Sequence, residues 1–416
     1  MAPRTLTRAT VAGLAAVALL GSAACGSGFD DNSGDAAQSS GPANIQILIG
    51  SSGDAETKAV QEAAAKWASS SGNTATVTAA QDLTQQLGQS LAGGTPPDVF
   101  YVDATRFADY ASVGALEPYG DKISNTGDFY ESLRTTFTYD GKFYCAPKDF
   151  STLALQINTD LWTKAGLTDA DVPTTWDQLT AAAQKIKANG QVALALGDTR
   201  DRIGAFMVQN GGWLMSKDGK QPTADTAENL AALQYVKTML TTGLARYPKQ
   251  LDAGWSGEAF GKGKAVMTIE GNWIKGALQN DFPNVKYKVV PLPAGPKGQG
   301  TLSFTQCWGI AAKSAHKEQA IKFVEAMTSG EQQMAFATAF GVMPSRQSVR
   351  DQYTAAFPAD KPFIDGVEYA QGPVNAPKMD SVLRDLEAGL QALANGDPKT
   401  VLTNFDKNAK AALGGS

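Results

Sequence analysis

The 416-residue chain holds only three cysteines and one histidine. Cys25, Cys145 and Cys307 lie far apart with no CxxC among them, and His316 stands alone, so a zinc site built on histidine and cysteine is excluded. No metal or other cofactor is expected. A serine–histidine–aspartate triad would have to use His316, which opens the stretch SAHKEQA. That stretch reads as the exposed start of a helix, so a solvated surface histidine is expected. No GxxxxGK[ST] occurs, which removes the loop that cradles nucleotide phosphates. Basic clusters are missing too: 36 Lys and Arg stand against 41 Asp and Glu, a net charge of −5, a poor balance for gripping nucleic acid. Long apolar runs are absent. Ala9 to Leu20 is too short and too rich in Ala and Gly to make a good membrane span.

The remaining composition is that of a soluble globular protein, 43% apolar and 19% charged. At this length one hydrophobic core is not expected, and two lobes are. Arg4 and Arg8 precede the apolar stretch, and Ser22-Ala23-Ala24 precede Cys25, so residues 1–24 read as an export signal. The end of this segment resembles a bacterial lipobox, with Ser22 where leucine is preferred, and lipidation of Cys25 is expected. Plain secretory cleavage near Ala24 is the alternative. Residues 25–43, rich in Gly, Ser and Asp, read as a flexible tether.

From Asn44 the pattern changes. Ile45, Ile47, Leu48 and Ile49 read as a strand buried on both faces. A helix bearing Val60, Ala63, Ala64 and Trp67 follows, then strands at 76–80 and 97–102 separated by a second helix. Strand–helix–strand–helix–strand implies a parallel, helix-covered sheet, whose ligands sit off the carboxyl ends of its strands. That places the loops at Ser51-Ser52 and Asp103–Arg106 at a site. The stretch Tyr139–Leu167 then combines a proline break at Pro147, a period-two strand through Leu153, Leu155 and Ile157, and a helix from Thr159 to Gly166. Such a break suits a crossover between lobes. Further on, Thr175 and Gln178 read as a capping box, 191–196 as a strand, and 203–213 and 227–240 as helices.

Gly141, Lys142, Tyr144, Pro147, Asn158, Asp160, Leu161, Lys164, Ala165 and Gly166 form an ordered set. This set is similar to the hinge-crossing region of extracellular solute-binding proteins of the family that includes the maltose-binding protein, the capture subunits of ABC importers for carbohydrates. The element FGKGKAVMTIEGNW (260–273) and the GVMPSR stretch at 341–346 continue the resemblance. It implies an α/β, two-lobed periplasmic-binding-protein-like fold of type II, each lobe a helix-flanked sheet, with three hinge crossings. The expected lobes are 44–147 with 308–344, and 148–307 with 345–416. The implied role is a lipid-anchored, extracytoplasmic receptor, expected to be a monomer. It would take a carbohydrate, such as a malto-oligosaccharide, and pass it to the permease subunits of an ABC transporter.

Sugars present hydroxyls at their edges and C–H groups on their faces, so aromatic plates and paired polar groups are the residue types to seek. Trp273 matches the family's stacking tryptophan, with Glu270 and Asn272 beside it, and Arg106 matches a ligand-contacting arginine. Asp103 ends a strand at the right place, Asp149 follows the crossing proline, and Trp308 lies on the return crossing. Ser52, with Ser51, opens a helix whose free N–H groups could bind a hydroxyl. Trp213 and Trp255 read as core. Where the family's maltose receptor has a tryptophan on its C-terminal helix, this chain has KMDSVLRDLEAGL, without an aromatic. Cys145 and Cys307 sit on crossing strands of one hinge, within expected reach of a disulfide; two buried free thiols are the alternative. Two rivals remain. One is a secreted glycoside hydrolase using Asp149 and Glu270 as an acid/base pair; the other is the same fold holding a polyamine, phosphodiester or peptide.

Overall fold

Ile45, Ile47 and Ile49 point into one core from strand β1 (Asn44–Ile49), while Asn44 and Gln46 face solvent. β1 is therefore buried on one face, not on both as its composition implied. Its Leu48 is only half-buried and packs at the margin of the core. The strand buried on both faces is β3 (Val99–Asp103), whose Val99, Phe100, Tyr101 and Val102 are fully enclosed. Between them in sequence comes β2 (Thr74–Ala79), which lies at the sheet edge and pairs parallel to β1. The computed structural model describes residues 41–414. The export signal, Cys25 and most of the expected tether lie outside these residues. From Ala43 the chain already belongs to the folded body, since its carbonyl accepts the Thr74 N–H at 2.9 Å.

A hairpin follows, β4 (Thr138–Tyr139) with β5 (Lys142–Phe143), and then the short β6 (Ala146–Pro147). The rest of the strands are β7 (Ser151–Asn158), β8 (Leu194–Ala195), β9 (Ala245–Arg246), β10 (Met267–Gly271), β11 (Tyr287–Val290), β12 (Thr301–Phe304), β13 (Gln306–Ile310) and β14 (Ala370–Gln371). One sheet has the order β2-β1-β3-β13-β6; the other has β14-β12-β7-β10-β8-β9, with β11 also on β7. Pro147, which has no N–H to give, ends the edge strand of the first sheet, where a missing donor costs least.

β7 is buried at all eight positions although its sequence alternates. The polar positions are accommodated by their own bonds. Gln156 exchanges two hydrogen bonds with the Glu270 backbone, at 2.9 and 3.0 Å, and Thr152 donates to the Phe363 carbonyl. Its end follows the reading closely: the Asn158 side chain caps the helix Thr159–Lys164, and Gly166 takes the left-handed conformation that stops the chain. At Thr175 the cap differs in detail. Its hydroxyl accepts the Gln178 N–H at 3.3 Å, but the Gln178 side chain returns to Thr174. The expected strand at 191–196 shrinks to β8, and the helix expected at 203–213 is Arg200–Gln209.

Each sheet carries its own core. Tyr101, Phe107, Trp308 and Phe323 are among the residues at the centre of one, and Leu155, Leu179, Phe206 and Leu390 at the centre of the other. Three segments join the two bodies side by side. Lys148–Phe150 runs from β6 to β7, and Thr305 links β12 to β13, so the return strand joins the first sheet at Gln306, before the expected 308. The third is near Met343, which bridges Phe150. They are laced together: Lys148 N–H donates to the Gln306 carbonyl (2.9 Å), Thr305 Oγ1 to the Asp149 carbonyl (2.7 Å), and Ser345 Oγ to the Pro147 carbonyl (2.6 Å). Cys145 and Cys307 are joined by a disulfide where these strands meet, with Cα atoms 5.6 Å apart. Among the described residues no helix is long and apolar enough to cross a membrane.

Candidate functional site

β1 and β3 end at one rim of a cleft of about 490 Å³. Gly50, Asp103 and Arg106 line it from the first sheet's side, and Arg200, Asp201, Trp213 and Phe304 from the second's. Asp103 uses Oδ1 to cap the helix Ala104–Ser112, accepting the Thr105 N–H at 2.8 Å and its hydroxyl at 2.6 Å. Arg106, one turn into that helix, reaches across to Asp380, and the Asp380 hydrogen bond holds its guanidinium pKa above the ordinary value. Asp380 opens the helix Asp380–Gln391, which has no aromatic; a carboxylate meets Arg106 there. Arg200 is fixed by Glu387 at 2.6 Å, and burial raises the Glu387 pKa in spite of that partner.

Trp273 is the tryptophan that best keeps an open face, being 37% exposed. Its indole folds back over the preceding turn, and a Cβ at Gly271 would come within 2.2 Å of the ring, so glycine is required there. Phe304 meets the ring edge-on at 5.1 Å, and the Arg202 guanidinium lies 5.1 Å over it. Trp273 thus adjoins the cleft through Phe304 rather than lining the cavity itself.

Several expected ligand contacts have other tasks. Glu270 is wholly buried; it pairs with Arg202 at 2.6 Å, accepts the Trp273 indole N–H at 2.9 Å and takes the Ser256 hydroxyl, which leaves its carboxylate no ligand-facing oxygen. It positions Arg202 and Trp273. Asn272 is buried and donates to the Gly341 carbonyl at 3.0 Å, tying β10 to the third crossing. Asp149 lies in the first crossing, ion-paired with Lys148, and burial raises its pKa. The same Lys148 holds Glu56 at 2.9 Å. Trp308 is 1% exposed and packs edge-on against Tyr101 and Phe323, filling the first core instead of facing a ligand. Ser52 donates its N–H and hydroxyl to Glu56, at 2.8 and 2.7 Å, and Ser51 donates to the Gly53 carbonyl; Gly50, not either serine, lines the cavity. His316 is not free in solvent but lies 3.2 Å from Asp98.

Sequence reasoning missed Trp213, Phe304 and Arg200. Trp213 was read as core, yet it is half-buried and borders the cleft. The signal was the preceding Gly211-Gly212: Gly211 has φ +82°, and a Cβ on Gly212 would collide with Asn229 at 2.1 Å. A turn so tight delivers the next side chain to a rim. Among the described residues no group of three or more His, Cys, Asp or Glu could hold a metal ion.

A binding protein of Brucella abortus is 28% identical over 350 residues, covering 80% of this chain and 83% of its own length. The diacetylchitobiose binding protein DasA of Streptomyces coelicolor is 26% identical, covering 64% of this chain and 65% of its own. Among solved structures, the cyclic α-maltosyl-1,6-maltose binding protein of Arthrobacter globiformis superposes with a TM-score of 0.81 at 21% identity, over 90% of this chain and 99% of that one. The GacH receptor of Streptomyces glaucescens, solved unliganded and with acarbose, gives 0.75 at 23%, over 89% and 98%. These likenesses establish the two-lobed binding-protein fold. The sequence profile described as bacterial extracellular solute-binding protein matches residues 50–334, and the chain belongs to that family.

Proposed function

We propose that this protein captures an oligosaccharide in the cleft between its two sheets and hands it to the permease of an ABC importer without altering it. The observation that carries the reading is the lining of the 490 Å³ cavity. Trp213 and Phe304 offer aromatic surface for C–H faces, and Asp103, Arg106, Arg200 and Asp201 offer charged hydrogen-bonding groups for hydroxyls. The relative named for diacetylchitobiose and the structural neighbour solved with acarbose support a carbohydrate over a polyamine, phosphodiester or peptide. The hydrolase reading loses its support, because Asp149 and Glu270 are enclosed in separate ion pairs and cannot act as an acid and a base on one bond. Lipidation at Cys25 would keep the monomeric receptor at the outer face of the cell membrane.

A thermal-shift screen across mono-, di- and oligosaccharides tests the ligand class. Binding to the folded form alone raises the melting temperature by mass action. An oligosaccharide that raises it supports the reading, whereas a panel without effect, with a polyamine or peptide raising it instead, overturns it.

A further inference from the structure

The charges around the cleft are not evenly met. Two guanidiniums line it, Arg106 from the first sheet's side and Arg200 from the second's, and each already has a carboxylate that does not line the cavity. Asp380 holds Arg106, and Asp109 lies 4.0 Å from the same guanidinium. Glu387 holds Arg200, accepting its side chain at 2.6 Å and its backbone N–H at 3.0 Å. Asp380 and Glu387 stand seven residues apart on the helix Asp380–Gln391, two turns along one face. One helix therefore meets both guanidiniums of the lining. Arg202, beside Phe304, is matched in the same way by Glu270.

The lining carboxylates are left open. Asp103 uses Oδ1 for the Thr105 N–H and hydroxyl, and its Oδ2 takes no hydrogen bond among the described residues. The Asp201 carboxylate takes none there either; its nearest cation is Arg200 Nε, 3.5 Å away. Neither belongs to the enclosed polar atoms, and the Asp201 side chain is 45% exposed, so both carboxylates are accessible from the cleft they line. A paired guanidinium keeps spare N–H groups for neutral hydroxyls, but its charge is already balanced. An anionic guest would thus meet two unpaired carboxylates and no free cation. An ammonium would make charge-assisted hydrogen bonds to them, roughly twice as strong as bonds between neutral groups.

We infer that the cleft selects an amino-bearing saccharide, whose protonated amine pairs with Asp103 or Asp201, over neutral and anionic saccharides of the same size. The inference rests on the carbohydrate reading of this cleft and narrows it by charge.

The test is calorimetric titration of the full protein at low salt and mildly acidic pH, where sugar amines are protonated. Three disaccharides of one linkage are compared: a glucose disaccharide, its glucosamine counterpart with free amines, and its glucuronate counterpart. Asp103→Asn and Asp201→Asn are titrated beside the wild type. Asparagine caps a helix as well as aspartate does, and Arg200 keeps Glu387 when Asp201 is neutral, so both variants fold. In the wild type the glucosamine disaccharide should bind about tenfold more tightly than the glucose one, and the glucuronate one most weakly. That preference should shrink several-fold in at least one variant and fade as salt is raised. The ratio is read within each protein, so a general loss of affinity in a variant does not imitate the result. Equal affinity for the glucose and glucosamine disaccharides, or tighter binding of the glucuronate one, overturns the inference and leaves the carbohydrate reading intact. So does a preference that persists unchanged in both variants. If none of the three binds while a neutral saccharide of the thermal-shift panel does, the inference likewise fails; if no saccharide binds at all, the carbohydrate reading fails with it.

Discussion

At the scale of single residues, the most constrained group is the buried set of Glu56, Lys148, Asp149 and Tyr101 beside the first crossing. Lys148 serves two carboxylates, and Tyr101 donates to Glu56 at 3.2 Å. The acids respond in opposite ways. Burial tends to raise Glu56, but Lys148 and the Ser52 bonds outweigh it and its pKa falls below the usual value; for Asp149 burial wins and its pKa rises. Removing Glu56 strands a buried lysine beside an acid that resists ionising. Glu56→Gln should therefore destabilise the fold by about 3 kcal/mol, and Asp149→Asn by clearly less, measured by urea unfolding at neutral pH. The sign with pH also follows. The folded state holds the Asp149 proton more tightly than the unfolded chain, so Asp149 penalises stability as pH rises from the unfolded value of about 3.9 through its raised folded value. Wild-type stability minus that of Asp149→Asn should fall across this window. Glu56 acts in reverse: its contribution is present above its unfolded value and is lost as pH falls through its depressed folded value. A difference between wild type and Asp149→Asn that rises with pH would contradict the assignment.

At the scale of elements, the crossings and the turn before Trp273 are where function is built. The Cys145–Cys307 bridge joins the residue just before β6 to β13 across a sequence separation of 162 residues, so it restricts the unfolded chain strongly. Replacing both cysteines by serine should lower unfolding stability by about 2–4 kcal/mol. Both strands belong to the first sheet, so saccharide affinity should stay within about twofold; a large loss of affinity would mean that the bridge shapes the cleft. The turn before Trp273 offers a second test. Gly271→Ala would drive the indole off Phe304 and break its bond to Glu270, releasing Arg202. Weakened saccharide binding with a folded spectrum is expected, and unchanged binding would remove Trp273 from the account.

These elements also show what the sequence could reveal. Period-two patterning and a proline placed β7 and the crossing before it, because both depend on local sterics and on one burial face. Burial on both faces of β3 but not of β1 follows from β3's central place in the sheet, set in part by its pairing with the return segment β13 some 200 residues away, which no local pattern encodes. The candidate site divides the same way. Asp103 follows from its position at a strand end and Arg106 from the family resemblance, whereas Asp149 and Trp308 rest on residue type near a hinge and Glu270 on its place beside Trp273. Their partners Arg202, Lys148 and Tyr101 come from distant or neighbouring elements and turn them inward. Trp213 is undervalued because the signal beside it, the Gly211-Gly212 turn, gains its meaning only from Asn229, which crowds Gly212 from another element.

At the scale of the whole molecule, two α/β bodies share three crossings, and polar links draw them together on the cleft side. Arg106 meets Asp380, and Asp109 accepts the Lys378 N–H at 2.7 Å. The charged pair is part-exposed, so its own stabilisation is small, at most about 1 kcal/mol. Asp380→Asn should shift the unliganded protein toward an open form, read as a larger radius of gyration by small-angle scattering, and an unchanged radius would show that the link does not govern closure. On the proposed function, the inter-sheet cavity lined by Trp213 holds a saccharide. Calorimetric titration of the wild type and of Trp213→Ala with an oligosaccharide that stabilises the protein tests it most directly. Saturable binding that weakens at least about tenfold in the variant is expected. Equal affinity in the two proteins would contradict it.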